Sequence, residues 1–344
     1  MLVKHVIFPG RRHQRTAESE PGFRDALRWS MPSAVLAAQE QGPRTFANPI
    51  LAAPAQDPQA TLIGDRYFYC ESSSEGIFLR VAADFLELDR APRQRVWTPP
   101  RSGPCSRNVW APELHVLDGR YFIYFAADDG ANANHRMWVL ASERGPLGPY
   151  RLQGMLETGG WAIDGTVLPG RDGQRYFVWS GWPGRTDGQQ NLYISPLEAP
   201  ATLGGRRTLL TSPEHRWETR GMPICEGPQV LQRGHRTFIV YSASASWTAD
   251  YCLGMLVNDG GDPLDPNSWR KAGQVFGRNQ HTWGVGHCGF VCTRDGEDWL
   301  LYHAKTRLRP GWADREVRAQ RFGWSPSGFP EFGEPVASGR PLPR

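Results

Sequence analysis

The chain has 344 residues, 40% of them hydrophobic, with Gly 38 and Pro 29 as dense turn punctuation. That is apolar material for a sizeable core, and the lack of any long i, i+3, i+4 apolar spacing points to short strands rather than helices. The formal charge of +4 comes from scattered arginines without a basic block, which argues against nucleic acid as a partner, and no apolar run is long enough to span a membrane. Six cysteines lack CxxC spacing and are too sparse for a disulfide scaffold, so they read as mainly free, buried thiols. Fourteen tryptophans favour a ligand with flat faces to stack on, such as a sugar.

In chain order, residues 1–45 are rich in Arg, Glu and Gln, carry no hairpin, and read as a flexible or loosely docked extension ahead of a body at 46–344. In MLVKHVIFPGRRHQRT, Pro9, Gly10 and two arginines interrupt what a secretory leader would need as an unbroken apolar run. This tips the compartment toward the cytoplasm, or toward secretion if the true start lies elsewhere. From there one unit recurs five times: LIGDRYFYC from Leu62, LDGRYFIYF from Leu117, GRDGQRYFVW from Gly170, QRGHRTFIVY from Gln232 and TRDGEDWLLYH from Thr293. Each is a turn followed by an apolar, aromatic strand, and the copies begin about fifty to sixty residues apart, the period of a repeat whose unit is one small antiparallel sheet.

A short strand leads into each turn, and each opens on a polar or aromatic residue: Asp57, Trp110, Asp164, Glu226 and His287. About eight positions later comes the turn's own Asp or Gly: Asp65, Asp118, Asp172, Gly234 and Asp295. A shared register of this kind predicts an all-β fold, a five-bladed β-propeller, with these residues converging at one end of the central channel. Phe122, Tyr124, Phe177, Trp179, Ile239 and Trp299, after the turns, are the expected filling between blades. Three carboxylates meeting at a channel mouth repel one another and are costly to charge. Glycosidic hydrolysis uses such a group: one carboxylic acid protonates the leaving oxygen while a carboxylate activates water or attacks directly. Trp110 is a candidate to stack on a sugar, and His287 to touch the ligand or hold water or an ion.

The segments AQDPQA, NVWAPELH, WAIDGTV, CEGPQV and GHCGF, in this order, resemble glycoside hydrolase family 43, and the resemblance covers the body to its end. It implies a five-bladed propeller and an inverting mechanism, with Asp57 as general base, Glu226 as general acid and Asp164 as the carboxylate that tunes and orients that acid. It implies for His287 a place near the channel centre, where some members hold a calcium ion; no cofactor is otherwise required, and His287 would hold such an ion through water. In GHCGF, Cys288 and Gly289 stand where relatives often carry a polar pair. ADREVRAQRFGW resembles the family's closing motif and makes Arg315 the expected substrate-contacting arginine, with Arg318 as the rival. HRMWVLASE, LTSPEHRWE and SASWTADYCLGML are most similar to arabinofuranosidase-type members. The expected activity is therefore exo-acting release of terminal α-L-arabinofuranose from arabinan or arabinoxylan side chains. The alternatives are a β-xylosidase or endo-arabinanase of the same family, or a sugar-binding propeller without chemistry.

Overall fold

Asp118 and Gly119 show how the repeated unit folds. Both take positive φ, 52° and 73°, so the two-residue turn between the strands Arg107–Leu117 and Arg120–Asp128 twists as a hairpin requires. The computed structural model describes residues 45–171 and 173–344, and all five repeats pair their first two strands as antiparallel neighbours, three of them through a two-residue turn and the third and fifth through longer connections. Asp172, in the third turn, and residues 1–44 of the expected extension lie outside the described residues. Thr45, the last residue of that extension, already pairs with Pro343.

Five antiparallel sheets follow one another along the chain. Blade I comprises Gln59–Ile63, Arg66–Ser73, Gly76–Ala82 and Arg93–Trp97; blade II comprises Arg107–Leu117, Arg120–Asp128, Arg136–Ser142 and Arg151–Met155. Blade III is built on Ala162–Pro169, Arg175–Gly181, Asn191–Ala199 and Thr208–Thr211, and blade IV on Cys225–Arg233, Arg236–Ala243, Cys252–Asn258 and Trp269–Phe276. Blade V has Trp283–Cys292, Asp298–Lys305 and Arg315–Arg321. The first strands of successive blades touch in ring order, and that of blade V touches that of blade I, so the sheets close into the expected propeller.

Period-two alternation in each second strand makes the ring. Tyr67 and Tyr69 pack with blade V, whereas Phe68 and Cys70 pack with blade II. Phe122 and Tyr124 face blade III while Ile123 and Phe125 face blade I. Tyr176 and Val178 face blade IV, Phe177 and Trp179 face blade II. In blade IV, Ile239 and Tyr241 look back to blade III and Phe238 and Val240 forward to blade V. Trp299 and Leu301 complete the circle against blade I, with Leu300 and Tyr302 against blade IV. The core is thus five inter-blade seams rather than one centre. All six cysteines are free, and Cys292 alone is exposed.

Among the described residues, blade V has three strands and no fourth of its own. The chain before blade I supplies the missing edge: Ile50 donates to Val317 O at 2.9 Å, Val317 N donates to Leu51 O at 2.9 Å, and Ala55 N donates to Arg315 O at 2.8 Å. The side chain of Asn48 imitates one more strand residue, donating to Ala319 O at 2.9 Å and accepting from Ala319 N at 2.8 Å.

Candidate active site

At or just before the first strand of each blade the extended backbone is interrupted, and the interruption is what aims side chains into the channel. A residue with left-handed backbone recurs there: Asp57 at φ 52°, Ala111 at 41°, Asp164 at 55°, Gly227 at 53° and His287 at 43°. In blades II to V the strand pairing slips at this residue, the signature of a β-bulge, and Asp57 sits just before the first strand of blade I. Non-glycine residues rarely adopt this conformation, at a cost of about 1–3 kcal/mol each, and such strain gathers at functional sites.

The common register therefore holds with one refinement. Asp57, Asp164 and His287 occupy the left-handed position itself, whereas Trp110 and Glu226 stand one residue ahead of it. All five still line one cavity of about 570 Å³ at the channel mouth, together with Arg315. Gly227 is glycine for two reasons. Its φ is positive, and a Cβ there would come within 3.2 Å of both His287 Nδ1 and Ser242 Oγ. Its N–H donates to Asp164 Oδ2 at 3.1 Å.

The carboxylates differ in environment. Burial alone would raise the pKa of Asp57, but the fields of His287 and Arg315 and the contact with His303, whose Nδ1 also accepts from Asp57 N–H at 3.5 Å, together hold it well below the usual carboxylate range. The contacts to its Oδ1 are 3.4 Å from His287 Nδ1, 3.4 Å from His303 Nδ1 and 3.5 Å from Arg315 Nη1. Glu226 moves the other way: burial, with the charge of Asp57 adding, pushes it up to about 7 despite the hydrogen bond that Tyr251 donates to its Oε1 at 2.8 Å. Asp164 is raised too, first by burial and then by the charges of Glu226 and Asp57. The Asp164–Glu226 pair thus holds a proton into the neutral range while Asp57 stays ionised. His287 spans the two sides, its Nδ1 lying 3.9 Å from Asp164 Oδ2.

Two residues that the sequence reading missed complete this arrangement. His303, fully buried in the second strand of blade V, has its pKa drawn down to about 3 by burial, so the ring is neutral. It stacks on Tyr251 with ring centroids 5.4 Å apart and links the Asp57 side of the cavity to the Glu226 side. Its Nε2 is buried without a partner among the described residues. Of the two arginine candidates, Arg315 is in the cavity. Arg318 is buried against Glu316 at 2.7 Å, Thr282 Oγ1 at 3.0 Å and Val336 O at 2.8 Å, and serves the framework.

Tryptophans form the mouth. Trp110 stacks on His135 with centroids 4.0 Å apart, and Trp161 on Trp182 at 4.7 Å with its Nε1 donating to Asn132 O. Trp312 meets Trp247 edge-on and donates to Ser246 Oγ, while its carbonyl accepts from Arg315 Nε at 3.0 Å. The cavity thus offers aromatic faces outside and opposed carboxyl groups inside. A calcium ion takes six to eight oxygens, yet among the described residues no group of three or more His, Cys, Asp or Glu is arranged to hold a metal ion. The ring around His287 does not fit a directly ligated cation.

Comparison with known proteins shows the family. The sequence model of glycosyl hydrolases family 43 matches residues 46–330. The chain is 35% identical over 313 residues to an extracellular exo-alpha-(1->5)-L-arabinofuranosidase of Streptomyces avermitilis, which covers 86% of this chain and 64% of that protein. It is 34% identical over 307 residues to alpha-L-arabinofuranosidase 43 of Humicola insolens, covering 82% of this chain and 62% of that protein. The chain therefore spans less than two thirds of the length of these two relatives. Among solved structures, an alpha-L-arabinofuranosidase from Lactobacillus brevis superposes with a TM-score of 0.81 at 32% identity, over 86% of this chain and 98% of that one.

Proposed function

The chain belongs to glycosyl hydrolases family 43, and from that premise we propose that it is an inverting, exo-acting α-L-arabinofuranosidase that removes terminal arabinofuranose from arabinan or arabinoxylan side chains. The observation that carries the chemistry is the opposed protonation of carboxyl groups around one cavity: Asp57 is held charged, while Glu226, pushed up to about 7, is held protonated. Asp57 takes a proton from a water molecule as the water oxygen attacks the anomeric carbon. Glu226 gives its proton to the departing glycosidic oxygen, and the carbon inverts because attack and departure use opposite faces. Asp164 keeps the acid protonated, since two buried carboxyl groups in contact through one field do not ionise together. Arg315 and His287 orient Asp57, and Trp110 supplies a sugar-stacking face. The arabinofuranose preference rests on the named activities of the relatives above.

The test is the anomeric form of the first sugar released, read by proton NMR before mutarotation. Inversion is expected, and retention overturns the assignment of Asp57 to water. A leaving-group series adds the roles. E226Q is expected to lose far more activity on saccharides than on aryl arabinofuranosides with good leaving groups, which need no protonation. D57N is expected to lose both alike, and equal losses across the series in E226Q refute Glu226 as the acid.

A further inference from the structure

A second depression, a groove of about 880 Å³, opens beside the catalytic cavity and shares Gln56, Ser72 and Trp110 with it. It runs along the seam between blades I and II under the connecting segment 98–106, and its walls differ in charge from those of the cavity. Where the cavity gathers Asp57, Asp164 and Glu226, the groove carries Arg95, Arg101 and Arg107 against a single carboxylate, Glu75.

Glu75 is taken up by Arg95, at 3.8 Å. Arg107 is fixed in a different way: its Nη1 donates to two backbone carbonyls, Ser106 O at 2.8 Å and Arg101 O at 3.1 Å. Carbonyls order a guanidinium without neutralising it. Neither Arg101 nor Arg107 pairs with a carboxylate among the described residues, and both are exposed. A pre-oriented, uncompensated fork of this kind matches a planar carboxylate better than a hydroxyl.

We infer that this groove binds the main chain of a uronate-bearing polysaccharide, so that the arabinofuranose branch entering the cavity at Trp110 hangs from an acidic rather than a neutral polymer. The inference rests on the reading of the cavity as a glycosidase site only for what the branch is. The groove's own ligand class, a saccharide carboxylate, follows from its arginines. The carboxylate could come from glucuronate on a xylan or galacturonate in a pectin, and the two share the chemistry that Arg101 and Arg107 recognise.

Affinity electrophoresis separates the two readings, because retardation in a gel needs no turnover. The protein is run through gels containing glucuronoarabinoxylan, polygalacturonate, or the same polymers with their carboxyl groups reduced to alcohols. Retardation about tenfold stronger in an acidic gel than in its reduced counterpart is expected, falling as salt is raised. R107Q and R101Q, each on the surface, are expected to erase that difference while leaving migration in the reduced gels as it was. Which acidic gel retards more tells the source of the carboxylate. Equal retardation in acidic and reduced gels, or an acid preference that survives both substitutions, overturns the inference. Failure to turn over an aryl arabinofuranoside would instead count against the assigned activity and leave this readout standing.

Discussion

Tyr251 and burial pull on Glu226 in opposite directions, and burial prevails. The balance is the catalytic property, and Asp164 helps hold it. The two buried carboxyl groups are coupled, so a negative charge on either raises the pKa of the other; D164N removes that mutual effect, and Glu226 is expected to ionise at lower pH. The descending limb of kcat/KM is expected to move to lower pH in D164N, and the ascending limb, governed by Asp57, to move less. An unmoved descending limb at wild-type activity would make Asp164 structural. His303 acts on the other limb. It is a positioning residue: its Nδ1 lies 3.4 Å from Asp57 Oδ1, and the ring wedges between Asp57 and Tyr251. Removing a polar neighbour that favours the charged carboxylate raises its pKa. H303A is expected to shift the ascending limb upward and lower kcat by about tenfold to a hundredfold, with H303N, which keeps a polar neighbour, recovering part of both. A loss of stability with unshifted limbs would reduce His303 to packing.

At the scale of the element, the bulge matters more than the strand. Gly227→Ala meets a positive φ of 53° and contacts at 3.2 Å with His287 Nδ1 and Ser242 Oγ, in a seam that cannot open without moving Glu226 next door. A destabilisation of about 2–3 kcal/mol by denaturant titration and a larger fractional loss of kcat than of substrate binding are expected. The same element sets what could be read from sequence. Turn dipeptides and period-two apolar runs express backbone preferences, so the hairpins, the seams and the residues Asp57, Asp164 and His287 were legible. The offset of Trp110 was not, because Ala111, the left-handed residue after it, carries no signal for that conformation; Gly227 does carry one, but in CEGPQV it marks only a turn- or bulge-prone place, not the residue that is aimed by it. Tyr251 and His303 were hidden for another reason. They arrive from outside the first strands, in SWTADYC and WLLYHAK, where an aromatic or a histidine reads as core filling until the fold shows which carboxylate it faces.

For the whole molecule, closing the ring and assembling the site are one event. Residues 50–55 pair with the outer strand of blade V, and Asp57 follows two positions later, while Arg315 begins the strand they pair with. The base and its arginine thus come from opposite ends of the chain and meet only when the last blade is completed. Asn48 is the clasp, satisfying both the N–H and the C=O of Ala319 in a buried place. N48A leaves that pair without partners, and each buried unpaired group costs about 1–3 kcal/mol. The expected result is a fall in the urea midpoint together with faster amide exchange at Val317 and Ala319, because those N–H groups are held by the closing segment. Activity should fall further than the population of unfolded chain explains, since an open seam lets Asp57 drift from Arg315 before the blades come apart. Exchange unchanged at both amides in N48A would move the clasp to the pairing of Thr45–Ala47 with Pro341–Pro343. A midpoint that falls while activity per folded molecule stays whole would show that the ring can loosen at its seam without loosening the site.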